Sequence, residues 1–150
     1  MKKCLCALLA LFMLLSCSGC ITFSYEDTNG EDNYALQTLT DADILRGAGS
    51  TTVLSSKVTI NNKTECKAKT MSGVLTLLDT KLNNEPFAIT VSCHITKGNA
   101  RLVLVVDDEI VHDFALNTDN QTFTLPNVTG KVRLKIAGES TGYTVTYTCE

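Results

Sequence analysis

Tryptophan is absent from this chain, and proline occurs twice in 150 residues. Without tryptophan the usual stacking platform of a sugar-binding module is missing, and the phenols reduce to Tyr25, Tyr34, Tyr143 and Tyr147. Basic charge is not in excess either, the formal net charge being −3. Nucleic acid demands a basic surface that displaces counterions from phosphate, so a nucleic-acid partner is disfavoured. A glycine-rich phosphate loop and a paired-acid motif are lacking, and the cysteine spacings do not match metal-ligand knuckles. No apolar run reaches the roughly 20 residues of a membrane span.

What is present begins with an address. Met1, Lys2 and Lys3 precede a short apolar block from Ala7 to Leu15, the charged and hydrophobic regions of a secretory signal. Leu14, Leu15, Ser16 and Cys17 then resemble the lipobox of bacterial lipoproteins, whose cysteine is acylated and becomes the first residue of the mature chain. Cys20, preceded by Gly19, is the alternative, although Cys17 then stands where an aliphatic residue is usual. The resemblance implies a signal peptide over 1–16, an acyl anchor in the membrane and a location in the bacterial cell envelope, facing outside the cytoplasm.

Acidity is concentrated after that cysteine. Glu26, Asp27, Glu31, Asp32, Asp41 and Asp43 are opposed only by Arg46. Residues 17–50 therefore read as a flexible acidic tether, with a turn or two of helix in "LTDADILRGAG", capped by Thr40 or Asp41 and stopped by Gly47. From residue 51 the apolar period changes to two, with turn residues at regular intervals. The segments 52–60, 64–70, 73–82, 86–96, 100–106, 109–116, 121–125, 130–137 and 142–149 are expected strands. So many short strands predict an all-β domain over 51–150, a two-sheet antiparallel β-sandwich of jelly-roll type.

Alternation assigns the faces. Phe87, Ile89, Val91, Cys93 and Ile95 share one side, and Thr90, Ser92, His94 and Thr96 the other. Val132, Leu134 and Ile136 point inward together with Tyr143, Val145, Tyr147 and Cys149 if the two strands form a hairpin with an even loop. A three-residue loop at Asp107, Asp108 and Glu109 puts Leu102, Leu104, Val106, Ile110, Phe114 and Leu116 inward. It leaves Val103, Val105 and Val111 as an outer apolar patch, a candidate binding face for a partner unless the second sheet or the tether covers it.

The stretches "SGVLTLLDTKL", "FAITVSCHITKGNARLVLVVDDEIV" and "TFTLPNVTGKVRLKIAGESTGYTVTYT" resemble the β-sandwich domain of small, mostly uncharacterised cell-surface lipoproteins of gut-type bacteria. In that pattern a glycine turn, an "LVLVD" strand and a closing "VRLKIxGExxxG" hairpin recur. The likeness implies an envelope-displayed β-sandwich and carries no active residues to transfer.

Export exposes the remaining cysteines to an oxidising compartment, so a Cys93–Cys149 disulfide is expected, with Cys66 as the alternative partner of either and buried free thiols as the other reading. Cys93 and His94 adjoin on a strand and point to opposite faces, which rules them out as a nucleophile and its base. His112 falls on an inward position and reads as a packing residue. Asp107, Asp108 and Glu109 are weak candidates for a calcium ion, turn acids being commoner. Asn62, Asn120 and Asn127 head N-x-T triplets and read as turn asparagines. No cofactor is expected. The pattern favours a non-enzymatic binding module for an envelope protein or glycan, with an envelope enzyme or transport accessory, or a structural envelope protein, as alternatives.

Overall fold

Strand-forming alternation commits the backbone to finding its hydrogen-bond partners in neighbouring strands. The computed structural model, which describes residues 34–47 and 49–150, meets that demand with one antiparallel sheet. The signal segment, Cys17, Cys20 and the first half of the expected tether lie outside the described residues. The elements run α1 (Asp41–Arg46), β1 (Thr51–Ile60), β2 (Lys63–Val106), β3 (Glu109–Phe114) and β4 (Thr118–Cys149). β2 carries the sheet, pairing with β1, β3 and β4.

The expected strands exist, but most are stretches of two long bent ones. β4 pairs with β2 in two ladders. Lys63↔Thr148, Val74↔Ala137 and Ala88↔Thr124 mark the first, and Ile95↔Tyr143 and Leu102↔Ile136 the second. Residues 142–149 therefore lie between 63–69 and 87–95, and residues 130–138 between 73–83 and 100–106. The expected hairpin of 130–137 with 142–149 is not formed, because each stretch pairs with β2 and not with the other. They are one strand bent at 138–142, where Ser140 takes φ 55°. The parity requirement survives the change of topology, since Val132, Leu134, Ile136, Tyr143, Val145 and Tyr147 are all buried. β2 bends beside glycines: Gly98 has φ 71°, and a Cβ there would strike the carbonyl oxygens of Glu139 and Ser140.

Two hairpins show what the turn residues decide. Asn61 and Asn62 join β1 to β2 with φ 48° and 64°, the left-handed pair that a two-residue loop requires. Between β2 and β3 the loop is Asp107 and Asp108, one residue shorter than expected, since Val106 pairs with Glu109. A bulge corrects the parity: Val105 faces Ile110 while Leu104 faces His112. Val111 consequently packs on the main core and Ile110 on the opposite side of the sheet, the reverse of the expected assignment.

The main core gathers Phe87, Ile89, Val91, Cys93, Leu102, Leu104, Leu134, Ile136 and Val145, among others. A second cluster lies on the other side, formed by Ile44, Val74, Val103, Val105 and Ala137, with Leu36, Leu39, Leu45 and Ile110 against it. Residues 34–47, the distal part of the expected tether, thus form a strap over the sheet. Thr40 and Asp43 make a capping box at the start of α1, and Gly47 closes it with φ 73°. A six-residue helix is marginal alone, and tertiary contacts hold it. Ile44 is completely buried. The Glu139 carboxylate accepts hydrogen bonds from the amides of Gln37 (2.9 Å), Thr38 (2.6 Å) and Leu39 (3.1 Å). Lys135 Nζ donates to the carbonyls of Ile44 (2.7 Å) and Leu45 (2.9 Å) at the helix end, where a cation is favoured. Arg101 grips Asp113 through two nitrogens and reaches Asp41.

Candidate interaction face

The strap occupies one side of the sheet around 100–106 and 130–138, so any open face belongs to the other stretches. Their outward positions form rows. Ile60, Lys63, Thr148, Thr90 and Thr122 stand in register across β1, β2 and β4. Val58, Glu65, Thr146 and Ser92 make the next row, which Asn120 extends by donating its amide to Ser92 Oγ at 3.0 Å. Ser56, Lys67, Thr144 and His94 make the third, ending in a 3.0 Å contact of His94 Nε2 with Asp119. β-Branched threonine suits a half-exposed strand, and its hydroxyl leaves the surface able to both donate and accept. Some hydroxyls already pair, as Thr90 Oγ1 does with Thr122 Oγ1 at 2.9 Å, while Lys67 meets Glu65 at 2.9 Å. These rows hold an open hollow of about 580 Å³ lined by Val58, Ile60, Lys63, Glu65, Thr146 and Thr148, and a depression of about 80 Å³ lined by Thr90, Ser92, Thr146 and Thr148. The hollow lies open on the sheet face, which suits a broad partner better than an enclosed small molecule.

Of the candidate binding face, Val103 and Val105 are fully buried under the strap, so the tether is what covers them, and Val111 is half-buried against the main core. Leu36, Leu39, Ile44 and Leu45 supply the apolar cover from a segment read as solvated. Asp107 is occupied in shaping its turn, its carboxylate accepting from the Lys131 amide at 2.8 Å while its own amide donates to the Lys131 carbonyl at 2.7 Å. Asp108 and Glu109 are exposed beside it, and among the described residues no cluster of three potential metal ligands forms. His112 stacks on Phe123 with centroids 4.2 Å apart and meets Phe114 edge-on at 4.7 Å, as a packing residue does.

The expected disulfide is not formed: Cys66, Cys93 and Cys149 are free thiols. Register explains it. Cys149 pairs with Ile89, four residues along the strand from Cys93, a separation of roughly 13 Å. Cys66 and Cys93 flank Val145 on its two sides, about two strand spacings or ~10 Å apart, beyond the ~7 Å limit for bridging. Burial pushes the Cys93 thiol up to about 12 and raises those of Cys66 and Cys149. Cys93 is therefore expected to resist iodoacetamide at pH 8 in the folded protein and to react on unfolding, as mass spectrometry of the alkylated chain would show.

Three residues that matter here gave no motif in the sequence. Glu139, Lys135 and Arg101 hold the strap, and none of them stands in a local pattern that marks that role. The Glu139 carboxyl is held down to about 2, first by the Gln37 amide and then by the hydroxyl and amide of Thr38. Lys135 lies below the ordinary lysine range because of burial, with Arg133 adding to it. Asp113 and then Asp41 hold the Arg101 guanidinium firmly protonated. An open cleft of about 660 Å³ runs between the strap and the sheet, lined by Tyr34, Leu36, Ala100, Arg101, Phe114 and Asn117. Its cation is already matched by the two aspartates. No family model matches the chain, and no curated protein matches it.

Proposed function

We propose that this chain is a lipid-anchored protein of the bacterial envelope whose β domain is a binding module, presenting the threonine-rich sheet face to an envelope protein. The observation that carries the reading is the open face itself, with in-register hydroxyl rows flanked by Lys63, Glu65, Lys67 and the apolar Val58 and Ile60. Mixed polar and apolar composition on a flat surface is what non-obligate protein interfaces use. The anchor rests on the "LLSC" and "SGC" stretches, with Cys17 as the acylated residue and Cys20 as the alternative.

The finer fold belongs to the same proposal: a jelly-roll sandwich, one sheet holding β1, 63–69, 142–149, 87–95 and 118–125, the other 73–83, 130–138, 100–106 and β3. The two ladders of β4 on β2 support that winding. So do Tyr147 Oη and Lys57 Nζ, which come from one group of strands and donate to the Leu77 carbonyl in the other at 2.9 and 2.6 Å.

A photo-crosslinking residue at Thr146 in the intact envelope tests the binding face. It is expected to capture a discrete protein that the same group placed at Lys81 does not, and Thr146→Arg should lose that protein with its melting curve intact. Equal capture at both positions removes the reading. Palmitate labelling lost in Cys17→Ala assigns the anchor, labelling lost only in Cys20→Ala moves it, and labelling retained in both removes it.

A further inference from the structure

β1 lies at the sheet edge, paired on one side by β2, and among the described residues its other side has no strand partner. Every large hydrophobic side chain found exposed among the described residues lies in this strand: Val53 at 51%, Leu54 at 75%, Val58 at 49% and Ile60 at 66%. Edge strands are ordinarily guarded by charge, proline or an inserted bulge. β1 contains no proline and no acid, and its register with β2 is the same on both sides of Leu54, the one residue of the strand that takes a left-handed φ of 50° and is skipped by the ladder. Its one charge, Lys57, turns inward to the Leu77 carbonyl at 2.6 Å.

We propose that this edge is a homodimer interface, in which two copies pair β1 antiparallel about a two-fold axis at Ser56. The sequence TTVLSSKVTI is self-complementary in that register. A two-fold axis perpendicular to the sheet keeps each residue on its own face, so paired positions must share parity. With the axis at Ser56, Leu54 faces Val58 of the second copy on the outer face, and Thr52 faces Ile60. Lys57 faces Ser55, so the two lysines do not meet. Moving the axis to Lys57 sets the lysines directly opposite each other, which is destabilising, and moving it to Ser55 sets Leu54 against a serine.

The occupant is a second copy and not an arbitrary strand because this register sets Leu54 against Val58 and keeps the two lysines apart. The nine paired residues, Thr52 to Ile60, span roughly 30 Å, and an edge of that length falls at the small end of specific interfaces, so association in the micromolar range is expected. The dimer would join the threonine-rich rows of both copies into one continuous face. It does not depend on what that face binds.

The test uses the full chain in detergent. Sedimentation from about 1 to about 200 µM should show a monomer–dimer equilibrium, and Leu54→Lys with Val58→Lys should weaken it by roughly tenfold or more. Ser56→Cys under mild oxidation should give a covalent dimer several-fold above both the wild-type chain, whose own thiols set the background, and Lys57→Cys, which is off the axis. A monomer throughout, unchanged association of the double lysine variant, or equal cross-linking at 56 and 57 overturns the proposal. Ser56→Cys adds no charge to the strand and decides the matter if the double variant fails to fold. Cross-linking of Ser56→Cys to a different protein instead of to a copy also overturns it.

Discussion

Val103→Lys is expected to abolish the cooperative thermal transition, whereas Val53→Lys should leave it within about 0.5 kcal/mol of wild type. Both are valines in strands of the same sheet, and only burial separates them: Val103 is fully covered and Val53 is 51% exposed. An ammonium at position 103 would sit among Ile44, Val74, Val105 and Ala137. It would also stand opposite Lys135 in the register with β4, and on its other side Asp113 is already engaged by Arg101. Desolvation without a partner costs several kcal/mol, against a total margin on the order of 5–15 kcal/mol. Val103→Ala, which only removes apolar contact, should cost about 2 kcal/mol and keep a sharp transition. Circular dichroism melts of the three variants check this. A wild-type curve for Val103→Lys would mean that the strap does not cover the sheet.

Glu139→Gln should release the strap without unfolding the sheet. The carboxylate gathers three consecutive amides and the Thr38 hydroxyl, and charged acceptors hold such donors more strongly than neutral ones. In the variant, hydrogen exchange at Gln37, Thr38 and Leu39 should accelerate by roughly tenfold or more at pH 7, relative to the intrinsic rates, with the β2–β4 ladders unchanged. The wild-type chain should reach the same state on acidification. The folded pKa of Glu139 is about 2 and the ordinary value 4.5, so its stabilisation is fully present above about 4.5 and fades as pH falls toward 2. Asp43, lowered by the Thr40 hydroxyl and amide, loses its cap contribution as pH falls below the same ordinary range, and this part should persist in Glu139→Gln. Protection at 37–39 that is indifferent to both the substitution and acid would rule out the carboxylate as the latch.

Faces were legible wherever one side of a strand is apolar and the other hydroxylic. Phe87 to Ile95 alternate as read, because a strand places successive residues on opposite faces whatever its partner. The short helix was legible too: Thr40, Asp43 and Gly47 are a local set whose bonds close within seven residues. Pairing was not. Residues 130–137 and 142–149 have the pattern of a hairpin and of a bent strand alike, and only the position of β2 on either side distinguishes them. Loop length at Asp107–Asp108 failed for a related reason, since a bulge at Val111 restored the parity that the shorter loop had upset.

By itself, then, the sequence determined an all-β domain, the inward faces of most of its strands and the α1 cap. These follow from near-neighbour chemistry and period. The tertiary structure alone decided that residues 34–47 are a strap and not a tether, that Val103 and Val105 are core, and that Cys66, Cys93 and Cys149 stay apart. Each of those depends on distances between residues far apart in the chain, such as Gln37 with Glu139 or Ile44 with Lys135. A carboxylate that gathers distant amides, or a lysine that ends a distant helix, looks in sequence like any surface charge. Its role appears only when folding brings its partners within about 3 Å.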